Sequence, residues 1–235
     1  IYASDHGEMA GEHGSWWKHT FHEASTRVPM MISLPEHRSG ELPATQLETP
    51  VELIDLYPTL CSLAGADFSV AEGRDLSAQL TSGEEPESIP VVSDNLNPRW
   101  GEGSEYRMVR YETYKYVGFR SGSEFLFDLE TDPLEQVNLS KKSTDPDTLA
   151  MLEKLRAYVA ETMDFDAAEQ ERLEGCADLE NQFPEQIGPT QGNLYHFKDG
   201  RIINGEDVVY NPTVVAQNAE EAFGKDWQDQ NLPKS

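Results

Sequence analysis

The run Val28 to Leu34, VPMMISL, is the feature that most restricts the fold. It is apolar almost throughout, without the alternation of a strand that has one wet face. Its length and placement suit a strand buried on both faces, as in a parallel sheet. Pro35 and the HRSG turn end it. Upstream, Ile1 to Ala3 reads as the end of another buried strand, followed by a glycine-rich loop to about residue 17. Downstream, VELIDLYPTLCSLAG places Leu53, Ile54, Tyr57, Leu60, Cys61 and Ala64 on one helical face, with Gly65 as a natural stop. Pro58 fits that helix only in its first turn or at a kink. Strand, helix and buried strand predict an α/β layer architecture over residues 1–85, the C-terminal part of a mainly parallel sheet sandwiched by helices. A parallel strand at Ile1 needs neighbours, and these are expected on sequence preceding it. The start has no signal-peptide grammar, so no compartment is read from it.

The texture changes after about residue 85. IPVVSDN, EYRMVRY, TYKYVGF and SEFLFDLE read as short strands joined by turns, an antiparallel meander closed by Asp132-Pro133. STDPDTLAMLEKLRAYVAETM then gives a helix with a core stripe of Leu149, Leu152, Leu155, Val159 and Met163. Residues 86–175 are thus expected to form a smaller α+β domain, an antiparallel sheet with a packed helix. Residues 176–235 form a loop-rich extension, with a hairpin signal at Asp199-Gly200 and a short helix in AQNAEEAFGKDW. This tail is long enough to wrap the body or a neighbouring subunit, which leaves a homo-oligomer open.

Acids outnumber bases 43 to 18, for a net charge of −25. Such a surface repels nucleic acid and anionic membranes, and no apolar run approaches the roughly 18 residues of a membrane span. It also repels small anions at long range, so any anion site must be locally basic or metal-assisted. Cys61 and Cys176 make no disulfide framework, and Asn138-Leu139-Ser140 fits a glycosylation sequon.

The chemistry concentrates in SDHGEMAGEHGSWWKHTFHEASTRVPMMISLP. Asp5 and His6 sit where a strand meets a glycine-rich loop, the edge at which open α/β sheets bind ligands. A carboxylate and an imidazole there can reach one cation, but two residues cannot complete the six or more ligands of calcium. Gly7 lets the backbone turn sharply past such an ion. Lys18 follows Asp5 by 13 residues, enough for the loop to double back. An ammonium beside a bound cation costs about 4 kcal/mol at about 4 Å. An anion between the two reverses the sign, so the set suggests an oxyanion ester clamped between cation and ammonium. Taken singly, Asp5-His6-Gly7 is also an ordinary turn and Lys18 an ordinary solvated lysine. His19 suits acid–base work near neutral pH. His13 and His22 read as structural, and Trp16 and Trp17 as packing or pocket lining. Glu23 and Arg27 read as an ion pair that fixes the loop. Arg99, in the loop NPRWGEGS, is a candidate for the organic portion of a substrate, whereas Arg107, Arg110 and Lys115 read as solvated strand residues.

This block resembles the second signature block of the type I sulfatases, within the alkaline phosphatase superfamily. The resemblance continues through TPVELIDLYPTLCSLAG, EGRDLS, RMVRYETYKYVGF and LFDLETDPLEQVNL, roughly residues 1–163. The Asp-His pair is similar to that of choline-sulfatase-like, iduronate-sulfatase-like and phosphonate monoester hydrolase-like members. The resemblance implies that Asp5 and His6 ligate one calcium ion and that Lys18 contacts the sulfate of the ester. It also implies a formylglycine nucleophile made from Cys or Ser in a C/S-x-P-x-R motif. These 235 residues hold no such motif; Ser33-Leu34-Pro35-Glu36-His37-Arg38 has the wrong spacing. The nucleophile and the remaining metal carboxylates are therefore expected on the N-terminal portion of the same enzyme, and this chain alone is expected to be inactive.

Three further readings stand beside a sulfuric ester hydrolase acting on a small-molecule or saccharide sulfate ester. One is a phosphonate monoester or phosphodiester hydrolase on the same scaffold. Another is a non-catalytic, metal-stabilised binding subunit, for which the clamp lysine has no evident use. A two-zinc phosphodiesterase ranks third among the enzyme readings, because only His196 follows His37 and the Lys18 block does not fit it.

Overall fold

The computed structural model describes residues 1–96, 103–182, 194–196 and 202–204. The chain divides into two compact units, residues 1–96 with 105–164, and residues 97–104 with 165–235.

The first unit opens with four two-residue strands, β1 (Tyr2–Ala3), β2 (Met9–Ala10), β3 (Trp16–Trp17) and β4 (Met30–Met31). β1 pairs with β4 and β2 with β3, both antiparallel. Helix α1 (Glu23–Thr26) lies between β3 and β4 in the chain, and α2 (Pro35–Ser39), α3 (Leu56–Ala64) and α4 (Ser77–Ser82) follow. The run VPMMISL thus holds a two-residue strand rather than a long one. Pro29 removes a ladder donor beside Met30, and Pro35 opens α2, so the strand is confined from both ends. Nor is it buried on both faces: Met31, Ile1 and Tyr2 are all exposed. Among the described residues every strand pair is antiparallel, and the mainly parallel sheet expected over 1–85 is not among them.

Helix α3 corrects a second expectation. Gly65 does end it, at φ 66°, and the Ala66 N–H reaches back to the Cys61 carbonyl at 2.8 Å. Pro58 sits in its first turn, where no intrahelical donor is lost. The buried side is nevertheless the polar one. Asp55, Pro58 and Thr59 are buried, whereas Leu53, Ile54, Tyr57 and Leu60 face outward. Asp55 accepts from the backbone N–H groups of Glu52 and Arg74 and from the Arg74 guanidinium. Thr59 accepts from the Leu76 N–H at 2.9 Å. The EGRDLS segment therefore anchors α3 through hydrogen bonds.

The antiparallel meander forms as expected. Strands β5 (Val91–Asn95), β6 (Tyr106–Tyr111), β7 (Tyr114–Phe119) and β8 (Glu124–Asp128) lie in sequence order. The period of two gives the sheet two apolar faces. Val109, Tyr116 and Leu126 stand side by side in register and pack on Leu152, Leu155 and Val159 of helix α5 (Pro146–Thr162). Asp145 caps α5 by accepting from the Thr148 N–H at 2.8 Å, and Pro146 opens it. Leu149 is the exception in the expected stripe and is exposed. The opposite face carries Tyr106, Met108 and Val117, with Phe119 and Phe125, and Phe21 from the N-terminal segment packs there.

In the second unit, α6 (Phe165–Gln182) crosses the border near residue 175 read from the sequence, and β9 (Leu194–His196) pairs antiparallel with β10 (Ile202–Asn204). Asp199-Gly200, between these strands, and the AQNAEEAFGKDW segment lie outside the described residues. No described helix is long and apolar enough to cross a membrane, and both cysteines are free thiols.

The sequon asparagine has a structural use. Asn138 Oδ1 accepts from the N–H groups of Leu126 and Ser140, each at 3.0 Å, and Nδ2 donates to the Glu124 carbonyl at 3.1 Å. It ties the edge strand β8 to the turn before α5. Asn138→Ala is expected to lower stability by about 1–3 kcal/mol by orphaning the Leu126 N–H. A thermal melt with an unchanged midpoint would show that these bonds are dispensable.

Candidate functional site

The site is built outward from the sheet. Lys115 lies on β7 with the parity of Val117, so its side chain belongs to the Phe21 face. The expectation of a solvated lysine is wrong: Lys115 is 0% exposed. Its ammonium has three N–H donors and three oxygen partners. These are Glu23 Oε1 at 2.6 Å, Glu135 Oε1 at 2.8 Å and the Phe21 carbonyl at 2.9 Å. Glu23 thus spends its carboxylate on Lys115 of the distant strand β7, and not on the expected partner Arg27. Glu135 is buried too, and its second oxygen accepts the Glu23 backbone N–H at 2.8 Å. That bond caps α1, a helix with no side-chain cap of its own. Burial pushes the Glu135 carboxyl up, but contact with His22, the Lys115 ammonium and the Glu23 N–H outweigh it and hold the group down at about 2, from an ordinary 4.5.

Helix α1, so held, fixes the two turns that hold Asp5, His6 and Lys18. The Gly7 N–H donates to the Ser25 carbonyl at 2.8 Å, and a Cβ on Gly7 would stand 2.0 Å from the Ala24 carbonyl oxygen. Only glycine fits this approach. The Ser25 hydroxyl donates to the Lys18 carbonyl at 2.5 Å. One short helix therefore grips the Asp5-His6-Gly7 turn by its end and the Lys18 turn by its backbone.

The three groups read from the sequence meet. Lys18 Nζ lies 2.8 Å from His6 Nε2, and Asp5 Oδ2 lies 3.4 Å from the same nitrogen. His6 Nδ1 is 2.7 Å from the Gly7 carbonyl, which holds the proton on Nδ1 and leaves Nε2 as the lone-pair nitrogen. The Ser4 hydroxyl braces the turn by donating to the His6 carbonyl. An imidazole lone pair oriented by a backbone carbonyl, beside an exposed carboxylate, is a donor pair fit for a divalent cation when the Lys18 ammonium turns away from it. Lys18 is exposed on the same side, and His19 is half-buried after it. Arg99 lies outside the described residues. Trp16 and Trp17 are exposed on the β2–β3 hairpin. His13 and His22 stack face to face, 3.7 Å between ring centroids and 4° apart in plane.

Residues 11–162 match the family described as N-sulphoglucosamine sulphohydrolase, C-terminal. The chain belongs to it. This is the C-terminal region of the type I sulfatases. Among curated relatives, the choline-sulfatase of Rhizobium meliloti (strain 1021) is 37% identical over 73% of this chain and 33% of its own length. The arylsulfatase K of Bos taurus is 31% identical over 68% of this chain and 30% of its own. Among solved structures, a 2-O GAG sulfatase is 30% identical with a TM-score of 0.53, over 71% of this chain and 37% of that one. The chain thus spans about a third of the length of the curated relatives it matches.

Sequence reasoning singled out Asp5, His6 and Lys18, which the structure brings together, but missed the positions behind them, Lys115 and Glu135. Strand parity was the available signal for Lys115, since it shares a face with Val117 and Phe119. Nothing local marks Glu135, which sits in a turn with φ at 55°.

The lowered Glu135 pKa makes a pH-dependent prediction. A group whose folded value is depressed stabilises the fold fully above its unfolded value and loses that effect as pH falls through the folded one. Glu135→Gln is therefore expected to cost about 3 kcal/mol above pH ~5. The gap to the parent protein should close as pH falls towards about 2. Denaturant melts of both proteins across that range check it, and a gap that does not depend on pH would contradict the charged role.

Proposed function

We propose that this chain supplies the metal-side edge and the sulfate clamp of an enzyme that hydrolyses sulfate esters. The observation that carries this reading is the meeting of Lys18 Nζ with His6 Nε2 at 2.8 Å, beside Asp5. The names of the relatives support a small-molecule or saccharide sulfate ester as substrate, since they include a choline-sulfatase and a 2-O GAG sulfatase.

Asp5 and His6 are the residues that hold calcium in this reading, with further oxygen ligands from the N-terminal portion of the same enzyme. When bound, the ion supplies electrostatic stabilisation of charge on the sulfate oxygens. Formylglycine, assigned to sequence outside these 235 residues, supplies the nucleophile for sulfur. What this chain does itself is position charge. His6 keeps Nε2 unprotonated through its Nδ1 contact with Gly7, so it is ready to ligate. His6 Nε2 has one lone pair, for which the Lys18 ammonium and that cation compete, and the two positive groups repel. A dianionic or monoanionic ester between them removes the repulsion, so the ammonium turns to the sulfate and the departing oxygen. His19 is assigned the proton that the leaving alcohol needs, and Arg99 the organic portion of the ester. The exposed apolar residues Ile1, Tyr2, Met31, Ile54 and Tyr57 support a covering N-terminal portion.

In the whole enzyme, Lys18→Ala is expected to lower kcat/KM for a sulfate ester by about 10²–10³. Asp5→Asn should raise the calcium concentration needed for half activity. Steady-state rates on a sulfate ester and a matching phosphodiester, measured side by side, test both variants and the substrate class. A Lys18→Ala enzyme with parental rates, or a phosphodiester turned over faster than the sulfate, overturns the reading.

A further inference from the structure

Three donors converge outside the Asp5–His6 pair. His13, His22 and Glu135 each offer one ligand atom, and these atoms all lie within 4.8 Å of one another. His22 Nδ1 is shut off from solvent and has no hydrogen-bond partner. An orphaned buried nitrogen is costly, and it asks for a ligand. Its nearest acceptor is Glu135 Oε2 at 3.4 Å, long for an N–H to oxygen bond. That spacing has another meaning. Around a tetrahedral cation with bonds of about 2.0–2.1 Å, neighbouring ligand atoms stand about 3.4 Å apart. The pair is therefore spaced as two corners of such a shell.

The backbone delivers these side chains against its own preference. His13 and Glu135 both hold left-handed backbone, at φ 52° and 55°. For residues other than glycine that conformation is unfavourable. Lys115 occupies Oε1 of Glu135, so Oε2 is the oxygen turned to His22, with the Glu23 N–H as its other partner. The carboxylate stays charged beside it.

We propose that His13, His22 and Glu135 form a second cation site that takes a borderline transition-metal dication of the zinc class. Two imidazoles and one carboxylate suit zinc, whereas calcium prefers oxygen throughout. Three protein ligands leave a fourth position for water. Parallel rings cannot both aim an in-plane lone pair at one ion, so binding tilts His13 off the stack. His13 is exposed on a turn, which permits that tilt, while Glu135 stays locked by Lys115. The repulsion between such an ion and the Lys115 ammonium is offset by Glu23 and Glu135, which both contact that ammonium. The occupied site joins the loop before β3, the entry to α1 and the turn after β8 in one staple.

The test is zinc titration of the chelator-treated whole enzyme, with saturating calcium present to fill the Asp5–His6 site. One zinc per chain is expected, together with a higher melting temperature that calcium alone does not give. His13→Ala should weaken binding by at least about 10–100-fold. His22→Phe, which keeps a stacking ring, should abolish it, and with it the visible absorption of a tetrahedral cobalt complex. Asp5→Asn should leave zinc binding unchanged. Should His22→Phe fail to fold, His13→Ala decides, because its side chain is exposed. Zinc binding lost in Asp5→Asn, or retained at parental affinity in His13→Ala, overturns the proposal and reduces the ring pair to packing.

Discussion

A buried ammonium, that of Lys115, ties the reactive loop to the antiparallel sheet. Taking a lysine out of water costs several kcal/mol unless every N–H finds an oxygen. Here two carboxylates and one carbonyl meet the three donors. The arrangement is directional, which an apolar contact is not. It fixes Phe21, Glu23 and Glu135 at set distances and leaves each little room to slide. It also depends on register. A one-residue slip of β7 would turn Lys115 to the α5 face, among Val109, Leu126 and Leu155, where nothing answers its charge. The meander and the loop therefore specify one another.

The consequence reaches the chemistry through α1. Four residues make one turn, and an isolated turn of helix is unstable in water. Its end is capped by Glu135 from the turn after β8, and its own carbonyl and hydroxyl groups then hold Gly7 and Lys18. The Asp5–His6–Lys18 geometry is thus imported from a sheet that contributes no side chain to it. This ordering explains why an acidic chain can present a positive clamp. The net charge of −25 disfavours any anion at long range. In the proposed function, attraction comes from a local cation and ammonium held at short range, and short range demands a rigid support.

Legibility in the sequence followed the range of the interactions. The meander and α5 were readable because their signals are local: period-two alternation, turn residues and a leucine stripe opened by Asp145-Pro146. Leu149 broke the stripe: it is exposed, whereas Thr148 beside it is buried and lies 3.5 Å from the Tyr114 hydroxyl of β7. The Asp5, His6 and Lys18 set was readable from residue type and spacing. The N-terminal strands were not. VPMMISL carries enough apolar residues for a buried strand, but Pro29 and Pro35 limit its ladder to two residues. In α3 hydrophobicity pointed to the wrong face, because Asp55 and Thr59 bury themselves for hydrogen bonds with Glu52, Arg74 and Leu76. Lys115 was misread by residue type when its strand parity placed it inward.

Glu135 was the least legible residue and bears the most. It is 112 residues from the Glu23 N–H it caps, and its turn has no pattern of its own. One carboxylate there serves the ammonium with one oxygen and both the helix end and the His22 corner with the other. Each partner favours the charged form, so the functions reinforce rather than compete. Loss of the charge would release the lysine, uncap α1 and loosen the grip on Gly7 and Lys18 in one step. The position of Lys18 is in that sense a property of the C-terminal sheet.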